Sequence, residues 1–144
     1  MTEVHVSIHI DRPAEEVFAV LADMEQNPRW QAGQKRCTWT SEPPLRLGST
    51  YDQEAEFLFR DIVSSFEVVE FEPGRRIRIV STGGTMPIDV TREVVSVAGG
   101  GCEVSAVVKG EPPGAFRLLG PLVDRMVRSR VTADYRTLKQ LMES

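Results

Sequence analysis

The chain has 144 residues and a mass of 16.1 kDa, the size of one domain with a single hydrophobic core. Apolar residues make up 41% and charged residues 26%, which argues against a disordered chain, a collagen-like repeat or a disulfide scaffold. The net charge of −4 disfavours a nucleic-acid partner, because phosphate binding needs clustered basic side chains. We therefore expect one globular domain over residues 1–144.

The amino terminus predicts a strand followed by a helix. Val4 to Ile10 alternate apolar and polar side chains, the period of a half-buried strand. Asp11 supplies a capping oxygen, Pro13 a preset φ, and two glutamates follow close behind, as at the start of a helix. The helical period fades near Asp23, and we expect a second short helical turn to end near Trp30.

The middle of the chain predicts an antiparallel meander. Short runs separated by proline and glycine turns predict strands over residues 34–41, 48–59, 62–72, 75–82, 86–97 and 102–110. No helical period fits between these runs. In the second run the odd positions are expected to face the interior: Tyr51, Gln53, Ala55, Phe57 and Phe59.

The end of the chain predicts one long helix. An apolar stripe runs through residues 121–142, about 33 Å of helix at 1.5 Å per residue, enough to cross a sheet. Pro121 lacks the amide for an interior helical bond, so the helix either begins there or is kinked there.

The charge is divided unevenly between the two halves. Residues 1–72 contain 6 basic and 14 acidic side chains, whereas residues 73–144 contain 11 and 7. Much of the basic excess lies near the end of the chain: Arg117, Arg125, Arg128, Arg130 and Arg136. Two interpretations stay open, a solvated basic helix face and a site for an anionic head group of a ligand.

Five segments carry a resemblance to a known family: Asp11 to Val17, Asp23 to Trp30, Leu47 to Thr50, Val69 to Arg76 and Tyr135 to Lys139. On these the chain resembles the START/Bet v 1-like helix-grip superfamily (SRPBCC), and within it the polyketide cyclase/dehydrase-like group, over essentially its full length. The resemblance implies an α+β fold, a curved seven-stranded antiparallel sheet wrapped around the long C-terminal helix, with two short helices between the first two strands. It also implies a hydrophobic cavity between sheet and helix.

We expect a cavity of a few hundred cubic ångströms, within the roughly 300 to 1,000 Å³ usual for small-molecule sites. The residues expected to contact a ligand are Trp30, Trp39, Tyr51, Gln53, Phe57, Phe66, Ile88, Val90, Arg92, Leu122, Val123 and Met126. Gln53 shares its face with apolar side chains, so it needs a partner: Tyr51, buried water or a ligand. Arg92 faces inward if Ile88, Val90 and Val94 do, and would then need a carboxylate or an anionic ligand. A bulge near Val94 and Val95 would instead put it in solvent.

Three functions follow as hypotheses. The first is a module that binds a small hydrophobic molecule of lipid, polyketide or aromatic type. The second is a polyketide cyclase/dehydrase-type enzyme in which Tyr51, Gln53 or Arg92 polarises a carbonyl. The third is an interaction protein with a filled interior. As a partner we expect a small hydrophobic molecule, and the chain itself as a monomer or homodimer.

No cofactor, metal site or catalytic set is expected from the sequence. The run from Gly99 to Gly101 stands between two strands rather than before a helix, unlike a phosphate-binding loop. The two cysteines, Cys37 and Cys102, are expected to be reduced thiols, and the two histidines, His5 and His9, to face solvent. Without a long apolar run or an export signal, we expect a cytoplasmic protein with no stable membrane insertion.

Overall fold

The computed structural model describes residues 2–57, 59–84, 87–111 and 120–144, and for Phe57 the backbone alone. The strands are β1 (Thr2–Ile10), β2 (Gln34–Trp39), β3 (Thr50–Phe57), β4 (Arg60–Glu72), β5 (Arg76–Gly84), β6 (Ile88–Ser96) and β7 (Cys102–Gly110). The helices are α1 (Ala14–Ala22), α2 (Asn27–Trp30) and α3 (Gly120–Glu143), with a 3₁₀ turn at Met24–Gln26 before α2.

The seven strands form one curled antiparallel sheet with the order β1-β7-β6-β5-β4-β3-β2. Strands β2 to β7 follow each other as a meander, and β1 closes the order by pairing with β7, for example Ile8 opposite Val104. The chain connects β1 to β2 through α1 and α2, and these two strands form the opposite edges of the sheet. This confirms the predicted helix-grip architecture.

Helix α3 lies against the sheet, and its C-terminal half contacts both β1 and α2. The Lys139 ammonium donates a hydrogen bond to the His9 carbonyl of β1 (2.7 Å). Towards its middle, the Tyr135 ring meets the Trp30 ring of α2 edge-on, with centroids 5.0 Å apart. In the described part of the chain α3 runs from Gly120 to Glu143, and Pro121 is its second residue.

The hydrophobic core is formed by side chains of the sheet and the helices. Val17 and Leu21 of α1, Ile77 and Ile79 of β5, and Leu138 of α3 are at most 3% exposed. Cys37 and Cys102 are free thiols inside the core. His5 and His9 are exposed, as the alternation of β1 predicts. None of the described helices is long and apolar enough to cross a membrane.

Two local predictions are wrong. Asp11 does not cap α1: the N-cap position is Pro13, two residues further along the chain, and no side chain caps the helix. Phe59 does not face the interior: β3 ends at Phe57, and Phe59 lies in the following turn at φ 66°, 98% exposed. The alternation cannot continue through a turn, because the chain there reverses direction.

Candidate functional site

An inner cavity of about 150 Å³ lies between the concave face of the sheet, the end of α2 and the middle of α3. Its lining residues are Trp30, Gln31, Gln34, Tyr51, Gln53, Phe66, Ile79, Ile88, Val90, Arg92, Val108, Val131, Asp134 and Tyr135. Every strand from β2 to β7, together with α2 and α3, therefore contributes to a mostly apolar wall.

An outer cavity of about 170 Å³ adjoins the inner one. The two share Gln31, Gln34, Gln53, Ile88, Val131 and Asp134. The outer cavity continues towards the end of β3, where the Arg130 guanidinium of α3 donates to the Glu56 carbonyl (2.9 Å). Each cavity is smaller than the single void of a few hundred cubic ångströms expected from the sequence.

Aromatic rings form much of the inner wall. Tyr51 and Phe66, paired across β3 and β4, stack with centroids 5.2 Å apart and planes at 16°. Trp30 and Tyr135 form the edge-to-face pair on the helical side. Such contacts hold the rings in place, so the wall is preformed.

Among the described residues, the inner wall contains two charged residues, Asp134 of α3 and Arg92 of β6. The Arg92 side chain is buried, with 5% of the residue exposed. One guanidinium nitrogen, Nη1, donates to the Leu21 carbonyl (3.2 Å) and lies 3.8 Å from the Met24 sulfur. The guanidinium carbon lies 5.1 Å from the centroid of the Trp30 ring.

The regular pairing of β6 explains why Arg92 faces inward. Val90, Arg92 and Val94 stand opposite Val108, Ala106 and Val104 of β7, without a register shift. The three β6 residues are all at most 9% exposed. The bulge that would have turned Arg92 outward is absent, which decides the alternative left open by the sequence.

Several hydrogen-bond donors of the wall have no partner in the described part of the chain. They are Arg92 Nε, Tyr51 Oη, Trp30 Nε1 and Gln31 Nε2, all shielded from solvent. No carboxylate among the described residues forms an ion pair with Arg92. Buried donors are normally satisfied, so this group of four calls for a partner that the chain itself does not supply.

Gln53 also lacks the protein partner that the sequence suggested. The Tyr51 hydroxyl makes no hydrogen bond with it, and the Cys37 thiol donates only a long hydrogen bond to its Oε1 (4.0 Å). Gln53 lines both cavities.

Burial shifts the titration of three groups around the cavities. The pKa of the Tyr51 hydroxyl is raised, so it stays a donor at neutral pH, and the pKa of the Cys37 thiol is raised to about 11. The pKa of Asp134 is raised to about 6 by burial, against the opposing effects of the Ala32 amide, which donates to it (2.9 Å), and the Arg130 charge. Of these three groups, Asp134 is the one that changes its charge nearest neutral pH.

The structure brings seven of the twelve expected residues into the inner cavity: Trp30, Tyr51, Gln53, Phe66, Ile88, Val90 and Arg92. Leu122 and Met126 are 55% and 42% exposed and do not line it, because α3 faces the cavity with its middle, from Val127 to Tyr135, rather than with its first turns. Val123 is buried but lines neither cavity.

Trp39 and Phe57 are the two other expected residues. Trp39 lines a separate surface groove beside Pro44 and Phe71. The side chain of Phe57 lies outside the described residues. The lining residues that sequence reasoning missed are Gln31, Gln34, Ile79, Val108, Val131, Asp134 and Tyr135. The available signal for Asp134 was a polar residue at a position of the apolar stripe of α3.

The basic end of the chain does not reach the inner cavity. Arg125, Arg128 and Arg136 are exposed on α3, and Arg130 lies at the outer cavity, whereas Arg117 lies outside the described residues. Across the described ranges, no three His, Cys, Asp or Glu side chains stand together as metal ligands.

Comparison with known proteins agrees with this architecture. The profile of the family described as polyketide cyclase / dehydrase and lipid transport matches residues 1–143. No curated protein sequence matches the chain.

Solved structures share the fold at low sequence identity. The protein TTHA0849 from Thermus thermophilus superposes with a TM-score of 0.81 at 19% identity, over 96% of this chain and 94% of that one. A START superfamily protein from Mycobacterium smegmatis gives 0.81 at 15% identity, over 99% and 98%. The ginseng major latex-like protein 151 from Panax ginseng gives 0.69 at 12% identity, over 97% and 96%.

Proposed function

The chain belongs to the polyketide cyclase / dehydrase and lipid transport family, and from this premise we propose that it binds a small apolar molecule in the inner cavity. The observation that carries the proposal is a sheltered void between sheet and α3, walled by the rings of Trp30, Tyr51, Phe66 and Tyr135. A protein that used its interior only for stability would fill such a space, since cores pack to crystal-like density.

The dimensions of the site favour a compact ligand. A void of about 150 Å³ in a protein core takes a molecule the size of benzene. The adjoining outer cavity has space for a short substituent or chain. A one-ring compound with a short tail therefore fits better than a sterol.

Thermal denaturation tests the proposal with a neutral compound, 4-phenylbutan-1-ol. A ligand at about 100 times its dissociation constant stabilises the folded protein by roughly 2.7 kcal/mol, which a melting curve resolves. We expect a concentration-dependent rise in Tm with this alcohol and none with cholesterol. Absence of any rise with a series of one-ring alcohols and ketones would contradict the proposal.

An enzyme is the second candidate, and the position of Asp134 favours it. A carboxyl with pKa about 6 lines the same cavity as the Arg92 and Tyr51 donors. A carboxylate there can take a proton from the carbon beside a carbonyl, while the donors stabilise the negative charge that develops on the oxygen. This proton transfer is the first step of cyclisation and dehydration of keto compounds.

Deuterium exchange distinguishes the enzyme from the binding module. In D₂O at neutral pH, the protein should accelerate exchange of the methylene hydrogens of 4-phenylbutan-2-one, and Asp134→Asn should abolish the acceleration. If the ketone binds but its exchange is not accelerated, the enzyme proposal fails and the binding proposal stands.

A further inference from the structure

We propose that the occupant of the inner cavity is a small carboxylic acid, bound as its carboxylate by Arg92. This rests on the proposed function, because it names the chemistry of the molecule that the cavity would hold. It differs from that function in requiring a charge on the ligand.

The first argument is the kind of polar group that the wall leaves unpartnered. Arg92 Nε, Trp30 Nε1 and Gln31 Nε2 can only donate a hydrogen bond. The Tyr51 hydroxyl donates as well, because burial keeps it protonated. A complementary ligand must therefore accept hydrogen bonds rather than donate them, and a carboxylate does so with two oxygens.

The second argument is the unbalanced charge of Arg92. On the opposite face of the sheet, Arg76 pairs with Glu93 (2.5 Å) and Arg78 pairs with Asp89 (2.8 Å), although both are far more exposed. Arg92 is the more buried guanidinium, yet the polar groups around it are neutral: the Leu21 carbonyl, the Met24 sulfur and the Tyr135 hydroxyl. A buried cation normally has an anionic partner, since its desolvation is otherwise uncompensated.

Asp134 does not supply that partner. Its carboxylate accepts the Ala32 amide, and the cation that acts on it is Arg130 at the outer cavity. The position of an anion beside Arg92 is therefore open to a ligand.

The third argument concerns the rest of the ligand. Around the guanidinium the wall is aromatic: Trp30 lies against it, and the stacked pair of Tyr51 and Phe66 is part of the same cavity. The space of about 150 Å³ fits one ring. The ligand class is thus an aromatic monocarboxylic acid with a short linker.

The experiment compares two probes of equal shape that differ in charge, 4-phenylbutyrate and 4-phenylbutan-1-ol, by isothermal titration calorimetry at about pH 7.5. We expect the wild-type protein to bind the carboxylate at least about tenfold more tightly than the alcohol. In Arg92→Met, which keeps much of the length of the side chain and removes the charge, this preference should disappear while the alcohol still binds. Arg36→Met is the matched control, because Arg36 is an exposed arginine of β2 and its loss changes the net charge equally.

The outcomes separate the two proposals. If the alcohol binds as tightly as the carboxylate, or if Arg92→Met keeps the preference, the carboxylate proposal is overturned and the apolar-ligand function stands. If neither probe nor any one-ring analogue binds, both fail. If Arg92→Met does not fold, the affinities of the wild-type protein for the carboxylate and the alcohol decide the carboxylate proposal. Tyr51→Phe provides a second variant and should weaken the carboxylate severalfold.

Discussion

The guanidinium of Arg92 lies over the indole ring of Trp30, with the guanidinium carbon 5.1 Å from the ring centroid. This contact joins β6 to the end of α2, two elements far apart in the chain, in the floor of the inner cavity. A desolvated cation over an indole face is stabilised by about 2 kcal/mol. The contact stabilises a buried cation that has no carboxylate partner, and whose Nε makes no hydrogen bond with the described residues.

A double-mutant cycle measures this contact. We expect Arg92→Met and Trp30→Leu together to destabilise the protein less than the sum of the single variants, by about 1 to 2 kcal/mol, because the second change removes an interaction already lost. Urea denaturation of the four proteins gives the coupling energy. The control pairs Arg92→Met with Trp39→Leu, whose ring lines a different groove, and should be additive. Additivity in both cycles would contradict the interaction.

Asp134→Asn should stabilise the protein at about pH 8 and leave it unchanged at about pH 4. Burial raises the folded-state pKa from its ordinary 3.8 to about 6, so the folded protein binds the proton more tightly than the unfolded chain. Stability therefore falls as pH rises between these values and stays lower above them. At about 1.4 kcal/mol per tenfold in proton affinity, ionisation costs on the order of 2 to 3 kcal/mol, an upper bound.

Denaturant titrations of both proteins at the two pH values check this expectation. The asparagine carbonyl can still accept the Ala32 amide hydrogen, so the substitution isolates the charge. Equal stability of variant and wild type at about pH 8 would show that ionised Asp134 is not destabilising.

Val131→Phe should fill the inner cavity. Val131 is a half-buried residue of α3 that lines both cavities, so the added ring has space to occupy. We expect nearly unchanged or higher Tm together with loss of the shift caused by 4-phenylbutan-1-ol. Val104→Phe is the control: Val104 is fully buried and lines neither cavity, so overpacking should cost roughly 1 to 3 kcal/mol. If Val131→Phe destabilises the protein as much as Val104→Phe does, the interior beside Val131 has no space for the added ring.

Gly101→Ala should destabilise the protein more than Gly99→Ala. Both glycines have positive φ, 76° and 95°, so both substitutions strain the backbone. At Gly101 the added Cβ would also meet the Ile10 carbonyl oxygen at 2.6 Å, whereas at Gly99 it would meet nothing within 4 Å. We expect a difference of about 1 kcal/mol or more in the free energy of unfolding, since the β1 backbone must shift. Equal losses of unfolding free energy in the two variants would mean that backbone strain at positive φ accounts for the whole effect.

The elements that the sequence predicted well have strong periodicity and clear boundaries. β7 matches its predicted range, Cys102–Gly110, because glycines precede it and a proline follows soon after it. α3 begins and ends within one residue of the prediction. The prediction failed at Asp11 and Phe59, where the outcome depends on the residue at which a helix or a turn begins.

By itself, the sequence determined the succession of strands and helices along the chain, because alternation and helical period are local properties. The resemblance to the helix-grip superfamily implied how these elements assemble, and it was confirmed. Only the tertiary structure decided which inward residues meet. Leu122 and Met126 lie on the predicted apolar stripe of α3, yet they are exposed, because the helix crosses the cavity further along, at Val131. Likewise, the sequence left the orientation of Arg92 open, and only the structure shows that it faces inward without a carboxylate partner among the described residues. Whether a buried charge has an ionic partner depends on all the elements that pack around it, and their packing is set by the whole fold.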